Sequence, residues 1–392
     1  MSRNTESPAQ SISLLVMVFF SFILIGTGIA SAQDVPVIEN GSRGSMRNAP
    51  ELTEEAVAGL DGPEEAMFYR PMNAFFGPDG NLYIADAGQH AILVYDRDGG
   101  FVRKIGQEGE GPGEIKMPAT SYISPAGELI IEDPANGRRS FFSLEGEFLK
   151  SEPLGMSFSS GNPLVMEDGE LARPALGAVI MRSGPGGGDQ AADETPPLLE
   201  IVDPDGEVRL KVGEQKSHEN QVLGMLINRS SMAYAPGGHL VVAFGILNEI
   251  HVYETATGRL ERIITRRLAF SPKEPDMTMQ RESTTDPVSG AQSVRMTVAP
   301  DVDPITDSIA VDREGRIWTL TRLTSQEETD DKETEGEYEG LTHIEIFSLE
   351  GDLLVTIPLD VPSTMIRFDA EGDLWLVDTR ATMAAYRYSV SW

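Results

Sequence analysis

Residues 73–86 read NAFFGPDGNLYIAD: an apolar run, a turn built from Gly, Pro and Asp, and a second apolar run. Apolar segments on both sides of a turn that closes on glycine spell a β-hairpin. The pattern returns at TSYISPAGELIIED (120–133), LVMEDGELARP (164–174), SMAYAPGGHLVVAF (231–244), SIAVDREGRIWTL (308–320) and MIRFDAEGDLWLVD (365–378), making six copies. The glycine that ends each turn, from Gly80 to Gly372, is expected at positive φ, where a Cβ would be penalised. A second turn follows in five copies: RDG (97–99), LEG (144–146), PDG (204–206), ATG (256–258) and LEG (349–351). Short β-rich segments such as AILVYD (91–96) and IEIFSL (344–349) lead into them.

Each unit therefore holds four strands, a to d. The sixth lacks its d strand, because Trp392 follows the c strand YRYSV (386–390) almost at once. An unpaired sheet edge is a liability that closed β architectures remove. Residues 52–59, LTEEAVAG, precede the first a strand and are expected to supply the missing one. The loop after them supports this: Gly62-Pro63-Glu64-Glu65 with Pro71 echoes Gly111-Pro112-Gly113-Glu114 with Pro118, and both loops precede an a strand. The expected fold is all-β, a six-bladed β-propeller of four-stranded antiparallel blades, with an N-terminal strand completing the last blade. A β-sandwich would not need the same pair of hairpins repeated along the chain. Tyr83, Trp318 and Trp375 share one position, three residues after the turn glycine, with Ile130 and Val241 as equivalents. A ligand cage would require aromatics throughout, so packing between neighbouring blades is expected there.

The chain has 392 residues, 62 acidic against 31 basic, for a formal charge of −31. Such a charge repels a phosphate backbone and no basic stripe offsets it, so nucleic acid is not an expected partner. Ahead of the repeats, ISLLVMVFFSFILIGTGIA (12–30) follows Arg3 and runs into Ala30-Ser31-Ala32. This is the pattern of an export signal cleaved after Ala32. Gly26, Thr27 and Gly28 weaken the run as a lasting membrane anchor. The expected organisation is a signal peptide over 1–32, an N-terminal extension over 33–51 and the propeller over 52–392. The mature chain is expected as a monomer in a periplasm or outside the cell, with no stable membrane span. Cysteine is absent, which excludes disulfides, a thiol nucleophile and Cys-ligated metal.

DGNLYIADAGQHAILVYD (79–96), GQEGEGPGEIKMP (106–118) and EDPANGRRSFFSL (132–144) give residues 62–150 a resemblance to the NHL-repeat class of six-bladed propellers. Asp133, Asn136 and Arg138 match that family's Asp…Asn-x-Arg loop. Asp86 keeps the Asp, but Gln89 and Ala91 stand where the Asn and Arg belong. Asp378 lacks the Asn, and Asn248 lacks the Asp. In weaker form the chain is similar, over residues 35–390, to exported bacterial six-bladed propellers of mostly unassigned activity. The resemblance implies the fold and no particular activity.

In a propeller the b–c loops and d–a crossovers share one rim, while the short hairpin turns share the other. Long segments at 183–196, 214–230, 265–306 and 323–341 all belong to the first rim. Insertions gather on the face that meets a partner, although surface loops also lengthen at little cost. The expected function is a binding or interaction module that uses this rim and the channel mouth, for a protein or a small-molecule or carbohydrate ligand. SQEETDDKETEGEYE (325–339) is expected as a solvated loop without fixed structure.

Asp86, Asp133 and Asp378 recur at the ends of b strands and face the same rim. Converging on the channel, they could hold a divalent cation, Ca or Zn, as in gluconolactonase-like hydrolases. His90, His218 and the neighbourhood of His343 could offer imidazoles to zinc, as in amidating-lyase-like propellers. A metal-dependent hydrolase or lyase is thus the alternative function. Against it, a carboxylate at a repeat position is suited to accept hydrogen bonds from its own b–c loop. Other catalytic motifs are incomplete. The glycine-rich 106–118 lacks a Gly-Lys-Ser/Thr ending, and its Glu108, Glu110 and Glu114 would repel phosphate. DRDGG (96–100) and DPDGE (203–207) lack the remaining ligands of a calcium loop, and no G-x-S-x-G elbow occurs. Asn228-Arg-Ser is a glycosylation sequon.

Overall fold

A computed structural model describes residues 35–392 apart from 155–160, 167–168, 176–194, 286–291, 336, 339 and 362. The expected export signal and most of the 183–196 insertion lie outside the described residues. Among those described, no helix is long and apolar enough to cross a membrane.

Six antiparallel sheets follow one another along the chain, each formed by four consecutive strands except the last. The first blade comprises Pro71–Phe76, Leu82–Asp86, Ala91–Tyr95 and Phe101–Ile105. Blades two to five open with Thr120–Ile123, Leu164–Val165, Ser230–Ala235 and Thr306–Val311. The sixth takes Met365–Phe368, Leu374–Asp378 and Ala384–Ser391, and its fourth strand is Glu51–Ala58. That strand runs antiparallel to Ala384–Ser391, with Leu52 opposite Val390 and Val57 opposite Tyr386. The ring thus closes through the N-terminal strand, as the repeat count requires. The six a–b turn glycines have φ between 76° at Gly80 and 95° at Gly372.

The core lies between blades rather than within one. Trp375 is fully buried against Ala74, Leu82 and Leu93 of the first blade. Tyr83 packs with Ile123, Leu129 and Phe142 of the second, and Trp318 with Ile366 and Leu374 of the sixth. Each aromatic also donates to an aspartate in an a–b turn. Tyr83 Oη reaches Asp79 at 2.9 Å, Trp318 Nε1 reaches Asp312 at 2.8 Å, and Trp375 Nε1 reaches Asp369 at 3.3 Å. An Asp in the turn, one residue before the glycine at Asp79 and three before it at Asp312 and Asp369, therefore satisfies the polar end of a buried ring.

The N-terminal extension adds structure of its own. Val37–Asn40 lies parallel to Leu260–Arg266, the d strand of blade four, as a fifth strand on that sheet. Asn40 Nδ2 donates to Gly351 O at 2.8 Å and its Oδ1 accepts from Leu353 N at 2.8 Å, tying this strand to blade five. Gly44 then crosses the outer strand of blade five so closely that a Cβ would fall 2.5 Å from Val355 N.

Two rim insertions differ from expectation. Residues Gln326–Glu335, read as an unstructured acidic loop, form an α-helix. Its first turn is held from outside, with Gln326 N donating to Asp303 at 2.8 Å, while Thr329 bonds Thr324 at 2.8 Å. The 265–306 crossover contains a long hairpin, Asp276–Thr285 with Gln292–Asp301. A short helix, Gln221–Ile227, sits in the crossover to blade four, with Asn220 Oδ1 accepting from Val222 N and Leu223 N.

Candidate functional site: the mouth of the central channel

The a strands of all six blades face a central cavity of about 910 Å³, which opens among the rim loops. Rim segments that reach its wall include Leu226 in the last turn of the short helix and Arg229 just after it, Gly245 and Ile246 after a b strand, and Gln326 at the start of the acidic helix. Among the described residues, the charged ones in the wall are Arg229, Arg322, Arg367, Arg380 and Asp307.

Their surroundings differ. Arg322 ends a b strand, is 3% exposed, and grips Asp307 with Nε and Nη2 at 3.0–3.1 Å. Arg380, in the b–c loop of blade six, donates to Glu333 on the acidic helix at 3.0 Å. Arg367 is the third residue of the a strand of blade six, below the rim. Its Nε donates to Ala74 O of blade one at 2.8 Å. Its Nη1 donates to Ser308 Oγ of blade five at 3.1 Å and to Ile366 O at 2.7 Å. Part of this side chain meets channel space while protein packs densely round the rest. Burial alone pulls its pKa down to about 10, and it remains a cation at neutral pH.

The aspartates singled out by the repeat end the b strands of three separate blades, each almost fully buried. Asp86 accepts from the backbone N–H groups of Tyr69, Arg70, Gly88 and Gln89 at 2.8–3.0 Å. Asp133 accepts from Lys116 N, Met117 N, Asn136 N and Asn136 Nδ2. Asp378 accepts from Arg380 N, Ala381 N, Thr382 N and Thr382 Oγ1. Four donors fill the lone pairs of each carboxylate, so coordinating a cation would require surrendering them. His90 Nδ1 meets Lys116 O at 2.6 Å, His218 Nδ1 accepts from Asn220 N at 3.0 Å, and His343 is buried beside Glu345. Among the described residues no three His, Asp or Glu side chains gather as a metal-binding group.

The NHL-like residues fasten crossovers. Asn136 Nδ2 donates to Gly109 O, and Arg138 to the carbonyls of Glu110, Gly111 and Glu114. Gln89, in the place of the family's Asn, does the same work in blade one by reaching Glu64 O at 2.7 Å and Met67 O at 3.0 Å. Asn228 of the sequon is 6% exposed, and its amide bonds Lys216 N, Lys216 O and Gly224 O. It is part of the fold rather than a surface acceptor.

A closed ring of six four-stranded blades around an open channel is a six-bladed β-propeller. The comparisons agree: a family model, DUF5128, described as a 6-bladed β-propeller matches residues 75–171. A Bacteroides fragilis protein described as exported has a similar structure, with a TM-score of 0.55 at 10% identity, covering 91% of this chain and 100% of that one. A member of the DUF4221 family from Bacteroides vulgatus scores 0.52 at 11% identity, covering 88% and 99%. A gluconolactonase from Xanthomonas campestris scores 0.45 at 13% identity, covering 89% and 97%. No curated protein matches the chain.

Sequence reasoning missed the arginines. Nothing about a single arginine in MIRF or in NRS marks it as a channel residue until the ring closes and brings positions 229, 322, 367 and 380 together.

Proposed function

We propose that this chain is an exported binding module that receives a small ligand through the mouth of its central channel. The observation that carries the reading is the one-sided placement of added structure. The Gln221–Ile227 helix, the hairpin over 276–301 and the Gln326–Glu335 helix all depart from the rim where the 910 Å³ cavity opens. Among the described residues the opposite rim keeps tight glycine turns, as at Gly80, Gly127, Gly238, Gly315 and Gly372. Pockets for small molecules fall at about 300–1,000 Å³, and this cavity lies within that range.

The test uses protein recovered from the exported fraction, whose first residue is expected to be Gln33. It is screened by thermal shift against sugars, organic acids, nucleotides and peptides. At least one class is expected to raise the melting temperature, and the rise is expected to vanish in Met72→Trp. Met72 lines the channel and is 41% exposed, so the added ring narrows the channel without entering the core. A rise of equal size in Met72→Trp, or no rise with any class, refutes the channel as the site.

A further inference from the structure

We propose that the ligand of this channel is a small organic anion, with an oxyanion group seated at Arg367 and an apolar body against the a-strand wall. The inference rests on the channel being a ligand site and names the chemistry it selects. It begins from an imbalance of charge. The whole chain carries 62 acids against 31 bases, yet among the described residues the channel wall carries four arginines and one aspartate. Asp307 is engaged by Arg322, and Arg380 has Glu333. Arg229 and Arg367 have no carboxylate partner among the described residues.

Arg367 stands apart from the other enclosed cations. Arg266, with a fully buried side chain, has Glu345 at 2.8 Å, and Arg322 has Asp307 at 3.0 Å. Arg367 bonds three neutral oxygens, and its Nη2 donates to no described atom. Withdrawing a cation from water without a counter-charge costs free energy that a bound anion returns. A guanidinium with one nitrogen unused also presents the planar fork that suits carboxylate and phosphate oxygens. Beyond it the wall mixes polar groups such as Asn73, Ser121 and Ser231 with uncovered apolar surface. Met72 and Val165 show 41% and 37% of their surface, and Phe75, Met365 and Phe368 line the same space. Uncovered apolar surface next to an unpaired cation fits an amphiphilic anion rather than a bare ion or a neutral sugar. Arg229, exposed at the mouth, adds attraction along the way in.

The experiment compares phenylacetate and phenyl phosphate with the uncharged isostere phenylacetamide, by calorimetric titration and thermal shift on the full exported chain. Both anions are expected to bind and phenylacetamide to bind at least about tenfold more weakly, the span of a charge-assisted pair. A preference for one anion identifies the oxyanion. Arg367→Met is expected to lower anion affinity about tenfold or more while leaving phenylacetamide unchanged. Arg229→Glu is expected to lower anion affinity several-fold and to reduce its salt dependence. Arg229 makes no described side-chain bond, so this variant retains its fold and carries the test should Arg367→Met fail to fold. Equal binding of phenylacetamide and phenylacetate overturns the anion site while leaving the channel as a ligand site. Anion binding that survives both substitutions, or no anion binding at all, also overturns it. Anion binding untouched by Met72→Trp overturns the channel reading itself.

Discussion

Arg266 on the d strand of blade four and Glu345 on the c strand of blade five meet inside the protein at 2.8 Å, their side chains 0% and 2% exposed. Thr306 and Thr321 accept from Arg266 Nη2, and Thr321 donates to Glu345 at 2.7 Å. Burial alone would push the Glu345 carboxyl up. Arg266, His343 and Thr321 outweigh that and hold it down at about 2. A carboxyl whose folded pKa is depressed adds stability that is present above its unfolded value and lost as pH falls through the folded one. Urea midpoints are therefore expected to fall between about pH 4.5 and pH 2, with Glu345 contributing to the slope. Glu345→Gln leaves Arg266 buried without a counter-charge and is expected to destabilise by roughly 3–5 kcal/mol at pH 7. The variant's midpoint should also depend less on pH over that window. A cost below about 1 kcal/mol in urea unfolding would mean that water reaches the pair. The same scale decides what the sequence discloses about single residues. Asp86, Asp133 and Asp378 are legible because part of each one's hydrogen bonding lies within four residues of chain. Arg266 and Glu345, or Arg367 and Ala74 O, are partners only because distant strands become neighbours, and no local pattern encodes that.

Strands and short turns are legible for a related reason: glycine at positive φ and alternating apolar residues act over a few positions. The Gln326–Glu335 helix has no such marker. Its sequence, QEETDDKETE, offers no apolar face, and a helix without one is read as solvated chain. Beside the local Thr324–Thr329 contact, what holds it is tertiary: Asp303 at its start and Glu333 bound to Arg380. Asp303 is the decisive partner, because its second oxygen also accepts from Lys273 N at 2.9 Å, joining the 265–306 crossover to this helix. Asp303→Ala leaves both N–H groups without their acceptor and is expected to cost about 2 kcal/mol. Amide exchange should rise at Gln326 and Lys273 while the strands of blades one and two keep their protection. If exchange at those two amides stays unchanged, the helix is held by other contacts. Arg380→Ala removes one partly exposed pair and should cost below about 1 kcal/mol. The hairpin over 276–301 did leave a trace, with Met277, Met279, Val294, Met296 and Val298 at alternate positions. A crossover reading passes over that alternation because its polar neighbours promise no buried face.

At the scale of the whole molecule, the N-terminal segment does two mechanically different things. Glu51–Ala58 pairs along its length with Ala384–Ser391 and so joins the two ends of the chain within one sheet. Ala58 and Phe68 enter the same cluster as Trp375, at the junction of the last blade with the first. Removing this strand would expose the edge of Ala384–Ser391 and uncover that junction together, and an open edge of this kind pairs with other chains. Val37–Asn40 and Gly44, by contrast, lie outside strands that are already complete, so they add contacts without closing anything. The repeat count made the first role legible, because one strand was missing. The second left no deficit in the repeat to notice. The two roles separate in truncations. A chain starting at residue 50 is expected to fold as a ring and lose roughly 2 kcal/mol, from half-covered Ile38 and the bonds of Asn40. A chain starting at residue 60 is expected to aggregate or elute as oligomers, with no single cooperative thermal transition. Size-exclusion chromatography and circular dichroism of both, beside the chain from Gln33, distinguish the outcomes. A cooperative monomer from residue 60 would mean that the blade interfaces hold the ring without the closing strand.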